Sequence, residues 1–404
     1  MTYTESIDWL WAHLPMYQEK GRSAFRGKLD NILLLCDHLC NPQEQFPTIH
    51  VAGTNGKGSS SHALASILQE AGYKVGLYTS PHLKDFRERI KINGKRISKE
   101  AVTDFVSWHK DFLEGEEFSF FEVTVGMAFD YFALQKVDIA VIEVGLGGRL
   151  DSTNIITPLV SLITNIGKDH TDILGDTLEE IAYEKAGIIK RGIPVVISEF
   201  HPLTAPIFKQ VALEKEADIY LADSLEVPYS MDLKGSYQAK NIKGIVQTIR
   251  VLQEKGVRIP EEAIERGLSH IVANTHLMGR WQQLGERPKI ICDTAHNAHG
   301  FAEIFSQLAT ERYATLHMVL GFVKEKDLEA ILPMFPKEAH YYFCTPKIDR
   351  GLSATTLQEK AAQYGLHGEA FPSVGSALER AKEEAGEDDF IYIGGSTFVV
   401  AEVV

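Results

Sequence analysis

A glycine-rich run, His50-Val51-Ala52-Gly53-Thr54-Asn55-Gly56-Lys57-Gly58-Ser59, is followed about 110 residues later by a second polar cluster, from Thr164 through His170 to Lys185. Between the two, Glu143 closes an otherwise apolar stretch. Glycines that open a helix let backbone N–H groups converge on an anion, and the helix N-terminus adds partial positive charge. Thr54, Asn55, Gly56, Lys57, Gly58 and Ser59 are therefore candidates to cradle nucleotide phosphates. Lys57 would neutralise the β and γ oxygens, and the Ser59 hydroxyl would be open to Mg²⁺. The run departs from the strict G-x-x-x-x-G-K-[ST] pattern, since Val51 takes the first glycine position and Gly58 separates Lys57 from Ser59. A tight turn with a solvated Lys57 is the plainer alternative, and three glycines around a lysine after an apolar strand weigh against it.

A carboxylate ending a buried strand is costly unless it meets a cation, and Mg²⁺ favours carboxylate, hydroxyl and phosphate oxygens. Glu143 is thus a candidate metal ligand; capping the loop Gly145-Leu146-Gly147-Gly148 is its alternative role. Ser80, in Thr79-Ser80-Pro81-His82, offers a further hydroxyl to the same ion. His170 is a less usual Mg²⁺ ligand, and Lys185, with Glu179, Glu180 and Glu184 nearby, also reads as half of a surface salt bridge. Loop, carboxylate and second cluster together imply a nucleotide–metal reaction centre, and with it an ATP-driven ligase.

Such groups converge only if several strands deliver them to one edge. Thr48–Ala52, Lys74–Tyr78, Val137–Val144, Leu159–Thr164 and Pro194–Ser198 read as apolar strands, alternating with helical stretches at 59–71, 99–113 and 121–134. Continuous apolar strands between helices imply a mostly parallel sheet covered on both faces, with ligands at the carboxyl ends of the strands. Residues 216–235 read as a small antiparallel element. After a connector at 274–280 the alternation restarts, with strands at 289–293, 315–321, 340–344 and 389–393. The expected fold is α/β: a P-loop-type N-terminal domain, 1–274, and a smaller Rossmann-like domain, 275–404.

Composition sets limits. With 41 Lys and Arg against 55 Asp and Glu, the formal charge of -14 excludes a general nucleic-acid binder. Four cysteines without a CxxC pair suit a reducing compartment. The first residues lack the charge and apolar run of a secretory signal, and no stretch reaches the ~18 apolar residues of a membrane span. The expectation is a cytoplasmic monomer acting on small molecules.

The runs His50–Ser59, Thr79–Leu83, Glu143–Asn154, Thr164–Ile189, Gly279–Gln282 and Asp293–Asn297 resemble, in order along nearly the whole chain, the folylpolyglutamate synthase family. That family belongs to the Mur ligase superfamily and includes bifunctional bacterial forms that are also dihydrofolate synthases; Gly148-Arg149-Leu150-Asp151 looks like the bifunctional form. The resemblance implies that ATP phosphorylates the carboxylate of dihydropteroate or of a reduced folate, and that the amine of L-glutamate attacks the acyl phosphate. It implies ATP contacts at Lys57 and its neighbours, at Asn241 on the adenine side, and at Arg280, Asp293 and His296 in the second domain. It implies two Mg²⁺ sites, one near Ser59, Ser80 and Glu143 and one at His170, with Lys185 carrying a CO₂-derived carbamate and K⁺ as a further candidate ion. Lys57, Glu143, His170 and Lys185 are then the catalytic set. Ser119, Phe120, Phe121, Glu122, Leu150, Asp151 and Ser152 are the pterin contacts, with the loop Ser23–Arg26 as an extension.

Two departures stand out: Ala298 replaces the family's usual Pro, and Gly21–Arg26 aligns poorly. The competing readings are folylpolyglutamate synthesis alone, a Mur-type ligase of cell-wall precursors, and a nucleotide switch without ligase chemistry. A switch needs no second metal cluster.

Overall fold

β1 (Thr48–Ala52) is buried along its whole length, as a strand with neighbours on both edges and helices on both faces must be. It forms the centre of an eight-stranded sheet with β2 (Val75–Tyr78), β3 (Ile90–Ile92), β4 (Lys95–Arg96), β5 (Ile139–Glu143), β6 (Val160–Ile163), β7 (Val195–Ile197) and β8 (Ile219–Leu221). The order is β4-β3-β2-β5-β1-β6-β7-β8, parallel except for the β2-β3 and β3-β4 pairs. The computed structural model describes residues 1–15 and 28–404.

Register brings the strand ends together. Val51 is opposite Glu143, Ala52 opposite Ile163, and Tyr78 opposite Ile142, so four loops leave one edge of the sheet. Successive connections run to opposite sides of β1, which makes this edge the switch point where open α/β sheets bind ligands. The helix Lys57–Glu70 follows β1 directly, and Gly267 on the helix Glu261–Ser269 lets that helix pack against the Ile67 backbone.

A second unit consists of Leu233–Tyr237 and Leu277–Val404; the first comprises Met1–Asp232 and Gln238–His276. The second unit has a six-stranded sheet of β9 (Gln282–Glu286), β10 (Lys289–Cys292), β11 (Leu316–Leu320), β12 (His340–Cys344), β13 (Gly368–Phe371) and β14 (Phe390–Gly394), in the order β13-β12-β11-β14-β10-β9. Only β9 runs antiparallel to its neighbour. Phe301, Phe322, Phe343, Phe390 and Tyr392 fill one core of this unit.

The expected α/β architecture is present in both units, a larger sheet followed by a smaller one. Residues 216–235 are a correction: β8 pairs in parallel with β7 and extends the main sheet, and 222–235 holds no further strand or helix. The sheet edge offers an open hydrogen-bonding row that the chain reaches by a helical crossover, Ala205–Glu214, and a crossover of that kind delivers a parallel strand. The charged β3-β4 ribbon and β13 also lie outside the sequence reading. Among the described residues no helix is long and apolar enough to cross a membrane.

Candidate active site

The phosphate-type loop is held from below by the loop after β6. Thr54 N–H donates to Asn165 O (2.9 Å), Asn55 N–H to Asn165 Oδ1 (2.9 Å), and Thr54 Oγ1 exchanges hydrogen bonds with the Gly167 backbone, each at 3.0 Å. Gly53 and Gly56 have φ of 148° and 84°, and a Cβ would overlap Thr164 Oγ1 at the first and Asn241 Oδ1 at the second. Glycine at both positions is thus required by backbone angle and by space. Lys57 Nζ folds back onto Gly53 O (3.0 Å) and Thr54 O (3.2 Å), which puts its charge at the loop's mouth. The first N–H groups of a helix have no acceptor within the helix itself, and no residue at the N-cap supplies a side-chain cap to this one.

Ser59 is buried and accepts from Gln238 Nε2 (3.1 Å), whose Oε1 in turn accepts from Asn241 Nδ2 (2.8 Å). Sequence reasoning singled out Asn241 and missed Gln238, which links it to the loop. Glu143, also buried, accepts from the Ser80 backbone N–H (3.3 Å), so β5 and the loop after β2 meet as expected. Arg89 is a further residue that the sequence reading missed. Its guanidinium is buried beside Glu143 and Tyr78, lies 5.4 Å from the Phe120 ring, and donates to His82 Nδ1 (2.8 Å). Burial and the Arg89 charge push His82 down to about 3, leaving it neutral.

Lys185 departs most from its surface-pair alternative: it is 4% exposed, on the helix Leu178–Ala186. Burial, then the Lys57 charge, push its amine down to about 7 against the opposing pull of Asp169, Asp151 and Glu184. The glycine loop after β5 packs backbone to backbone on this helix. Arg149 N–H donates to Glu184 O (2.7 Å), a Cβ on Gly148 would come within 2.8 Å of the same oxygen, and one on Gly187 would overlap Arg149. His170, one-third exposed, has a left-handed backbone (φ 51°) at the start of the short helix Thr171–Leu174, and its N–H donates to Asp169 Oδ1 (3.0 Å).

Among the proposed pterin contacts, Ser119 and Glu122 form a reciprocal cap on the helix Phe120–Leu134, with Ser119 N–H donating to Glu122 Oε2 at 2.6 Å. Phe121 lies against Gly145 and Tyr78. Asp151 is 4% exposed and organises its own loop, accepting from Leu146 N–H (2.8 Å) and from Thr153 N–H (3.0 Å). Leu150 and Ser152 flank it, partly exposed. The loop Ser23–Arg26 lies outside the described residues.

Arg280, Asp293 and His296 belong to the second unit. Asp293 is buried at the end of β10 and accepts from Trp281 N–H (2.6 Å), Ala295 N–H (2.8 Å) and Tyr237 Oη (2.7 Å), while Arg280 donates to Thr294 Oγ1. His296 Nδ1 is 2.9 Å from Thr294 O. Among the described residues no three His, Cys, Asp or Glu side chains gather as a metal cage. A buried carboxylate at Glu143 and a buried hydroxyl at Ser59 nonetheless fit Mg²⁺, which takes few protein oxygens and completes its shell with phosphates and water.

Two families of domain match the chain: the Mur ligase middle domain over residues 51–198 and the Mur ligase glutamate ligase domain over 279–397. A probable bifunctional folylpolyglutamate synthase/dihydropteroate synthase of Haloferax volcanii is 33% identical over 100% of this chain and 50% of its own length. The chain thus spans about half the length of that relative. The dihydrofolate synthase/folylpolyglutamate synthase of Bacillus subtilis is 30% identical over 99% of this chain and 98% of its own. The structure of E. coli FolC in complex with DHPP and ADP superposes with a TM-score of 0.88 at 28% identity, covering 100% of this chain and 97% of that one. A bifunctional folylpolyglutamate synthase/dihydrofolate synthase with Mn, AMPPNP and L-glutamate bound gives 0.83 at 29% identity, covering 100% and 97%.

Proposed function

The chain belongs to the folylpolyglutamate synthase/dihydrofolate synthase family of Mur ligases, and we propose that it uses ATP to join L-glutamate to dihydropteroate and to reduced folates. The substrate's carboxylate oxygen attacks the γ-phosphorus of ATP, ADP leaves, and an acyl phosphate results. The glutamate amine then attacks the acyl carbon, phosphate departs with the C–O bond electrons, and the amine gives up a proton. Negative charge grows in the first step at the oxygens facing Lys57 and the N-terminus of its helix, and fixed positive charge there stabilises it. Bound Mg²⁺ would supply further charge neutralisation at the phosphates, held by Ser59, Ser80 and Glu143 at one site and by His170 and Lys185 at the other.

The buried Lys185 carries the reading. A cationic amine beside Lys57 repels a metal ion, whereas an amine held near 7 is substantially neutral at physiological pH. A neutral amine can attack CO₂, forming an N–C bond and losing a proton, and the resulting carbamate offers oxygens to a cation. Phe120, Phe121 and Asp151, with Ser119, Glu122, Leu150 and Ser152 beside them, are the proposed wall and polar contacts for a flat pterin. Asn241, Arg280, Asp293 and His296 keep the nucleotide role that the family likeness gives them. The formal charge of -14 supports a protein without nucleic-acid partners, and a cytoplasmic monomer using Mg²⁺, with K⁺ as an auxiliary ion, completes the proposal.

Purified protein incubated with MgATP, L-glutamate and either dihydropteroate or tetrahydrofolate should release ADP in a glutamate-dependent manner with both acceptors. Turnover of tetrahydrofolate alone would reduce the assignment to folylpolyglutamate synthesis. Absence of turnover with either acceptor would overturn it.

A further inference from the structure

His50 is fully buried in β1, immediately before the phosphate-type loop, and no chemical step above uses it. Its Nε2 lies 2.9 Å from Thr153 Oγ1, and that hydroxyl donates to Asp151 Oδ1. A hydroxyl has one proton to give. Asp151 meanwhile accepts backbone N–H groups at both oxygens, Thr153 at Oδ1 and Leu146 at Oδ2, so both oxygens already serve as acceptors although burial pushes the carboxyl up. The hydroxyl proton therefore points to Asp151, and His50 Nε2 must donate into the remaining lone pair of Thr153 Oγ1. This fixes the imidazole as its Nε2–H tautomer and leaves Nδ1, which is buried without a hydrogen-bond partner, as the bare nitrogen. The ring is neutral, since burial, followed by the charge of Lys190, pushes it down to about 3.

We propose that His50 is a positioning residue for the acceptor: a relay from His50 through Thr153 and Asp151 to Leu146 holds the loop 145–153 in its binding shape and ties it to the strand that feeds the phosphate loop. The relay runs across two adjacent strands of the sheet, β1 and β5, whose loops carry the two halves of the reaction. The inference rests on the proposed role of Asp151 as a pterin contact. It goes further by making acceptor recognition depend on a side chain that cannot touch the acceptor.

Three variants test it. His50→Leu removes the donor, Thr153→Val removes the hydroxyl at constant shape, and His50→Gln keeps an N–H donor at comparable reach to Nε2. His50→Leu and Thr153→Val should raise KM for dihydropteroate and tetrahydrofolate about 10-fold, the scale of one buried hydrogen bond, and leave KM for ATP within about twofold. His50→Gln should restore most of the acceptor affinity. Equal increases in both KM values, no change in either, or a Gln variant no better than Leu would overturn the relay. If the wild-type protein turns over neither acceptor, the functional reading fails separately, and the relay is read from the ¹⁵N spectrum of histidine-labelled protein. An Nε2–H imidazole whose resonances shift in Thr153→Val supports the relay, and an Nδ1–H form overturns it.

Discussion

Two lysines in the first unit are almost equally buried and behave differently. Lys91, at 3% exposure in the β3-β4 ribbon, donates to Thr275 O at 2.8 Å, and Glu88 supplies the opposing charge that partly offsets its burial. Lys185, at 4%, is beside another cation, Lys57, whose charge adds to its burial while Asp169, Asp151 and Glu184 oppose it. Burial lowers the first to about 8 and the second to about 7. Burying a lysine beside another cation is costly, and strongly shifted groups of that kind cluster at functional sites. The difference separates a lysine that anchors a chain segment from one proposed for chemistry.

The largest expected effect follows from that separation. Lys185→Ala should lower kcat for glutamate addition by about 10³-fold or more, the scale of losing a group that stabilises transition-state charge, with little loss of thermal stability. A variant that unfolds before it loses activity would make Lys185 another anchor. Lys91→Ala should do the reverse, costing about 1–3 kcal/mol in a urea titration by leaving Thr275 O unpaired, while specific activity of the folded fraction is retained.

Glycines sharpen the same contrast. Gly94 (φ 71°) has no room for a Cβ beside Asn274 O, so Gly94→Ala should destabilise the protein by about 2 kcal/mol in thermal melts. Gly148→Ala would press a Cβ towards Glu184 O and Lys185 O and should act mainly on kcat, measured by ADP release. A further effect is in pH. Lys91 binds its proton less tightly folded, about 8, than unfolded at its ordinary 10.5, so the unfolded chain holds more protons between those values. Its burial penalty is therefore full below pH 8 and is relieved as pH rises towards 10.5. Stability should rise across that window by up to about 1.4 kcal/mol per pH unit from this group. The difference between wild type and Lys91→Met, measured by denaturation at pH 7.5 and 9.5, isolates it.

These contrasts also mark what the sequence could convey. Gly53, Gly56 and Lys57 announce their loop because left-handed backbone and close approach demand glycine locally, and β1 and β5 are legible as unbroken apolar runs. The burial of Lys185 was not legible. Glu179, Glu180 and Glu184 give its helix a solvated look, and the close approach of Gly148 to the carbonyls of Glu184 and Lys185 is a tertiary contact. The β3-β4 ribbon carries Lys91, Lys95 and Arg96, a composition that hides strand periodicity, and its pairing depends on β2. Likewise Gln238 meets Ser59, 179 positions away, and Arg89 lies beside Glu143 of β5, and no local pattern encodes such partnerships.

The five residues Leu233–Tyr237 belong with the second unit although the chain on both sides of them belongs to the first. Ser236 N–H donates to Gln307 Oε1 at 2.7 Å, and Tyr237 supplies the hydroxyl that meets buried Asp293. Anyone excising the C-terminal unit at Leu277, or grafting it onto another protein, would therefore leave behind a sequence-distant piece of its fabric. A transplant boundary drawn on the linear map cuts through the module, and a functional graft must restore this insert, supplied in trans as a peptide or fused by circular permutation.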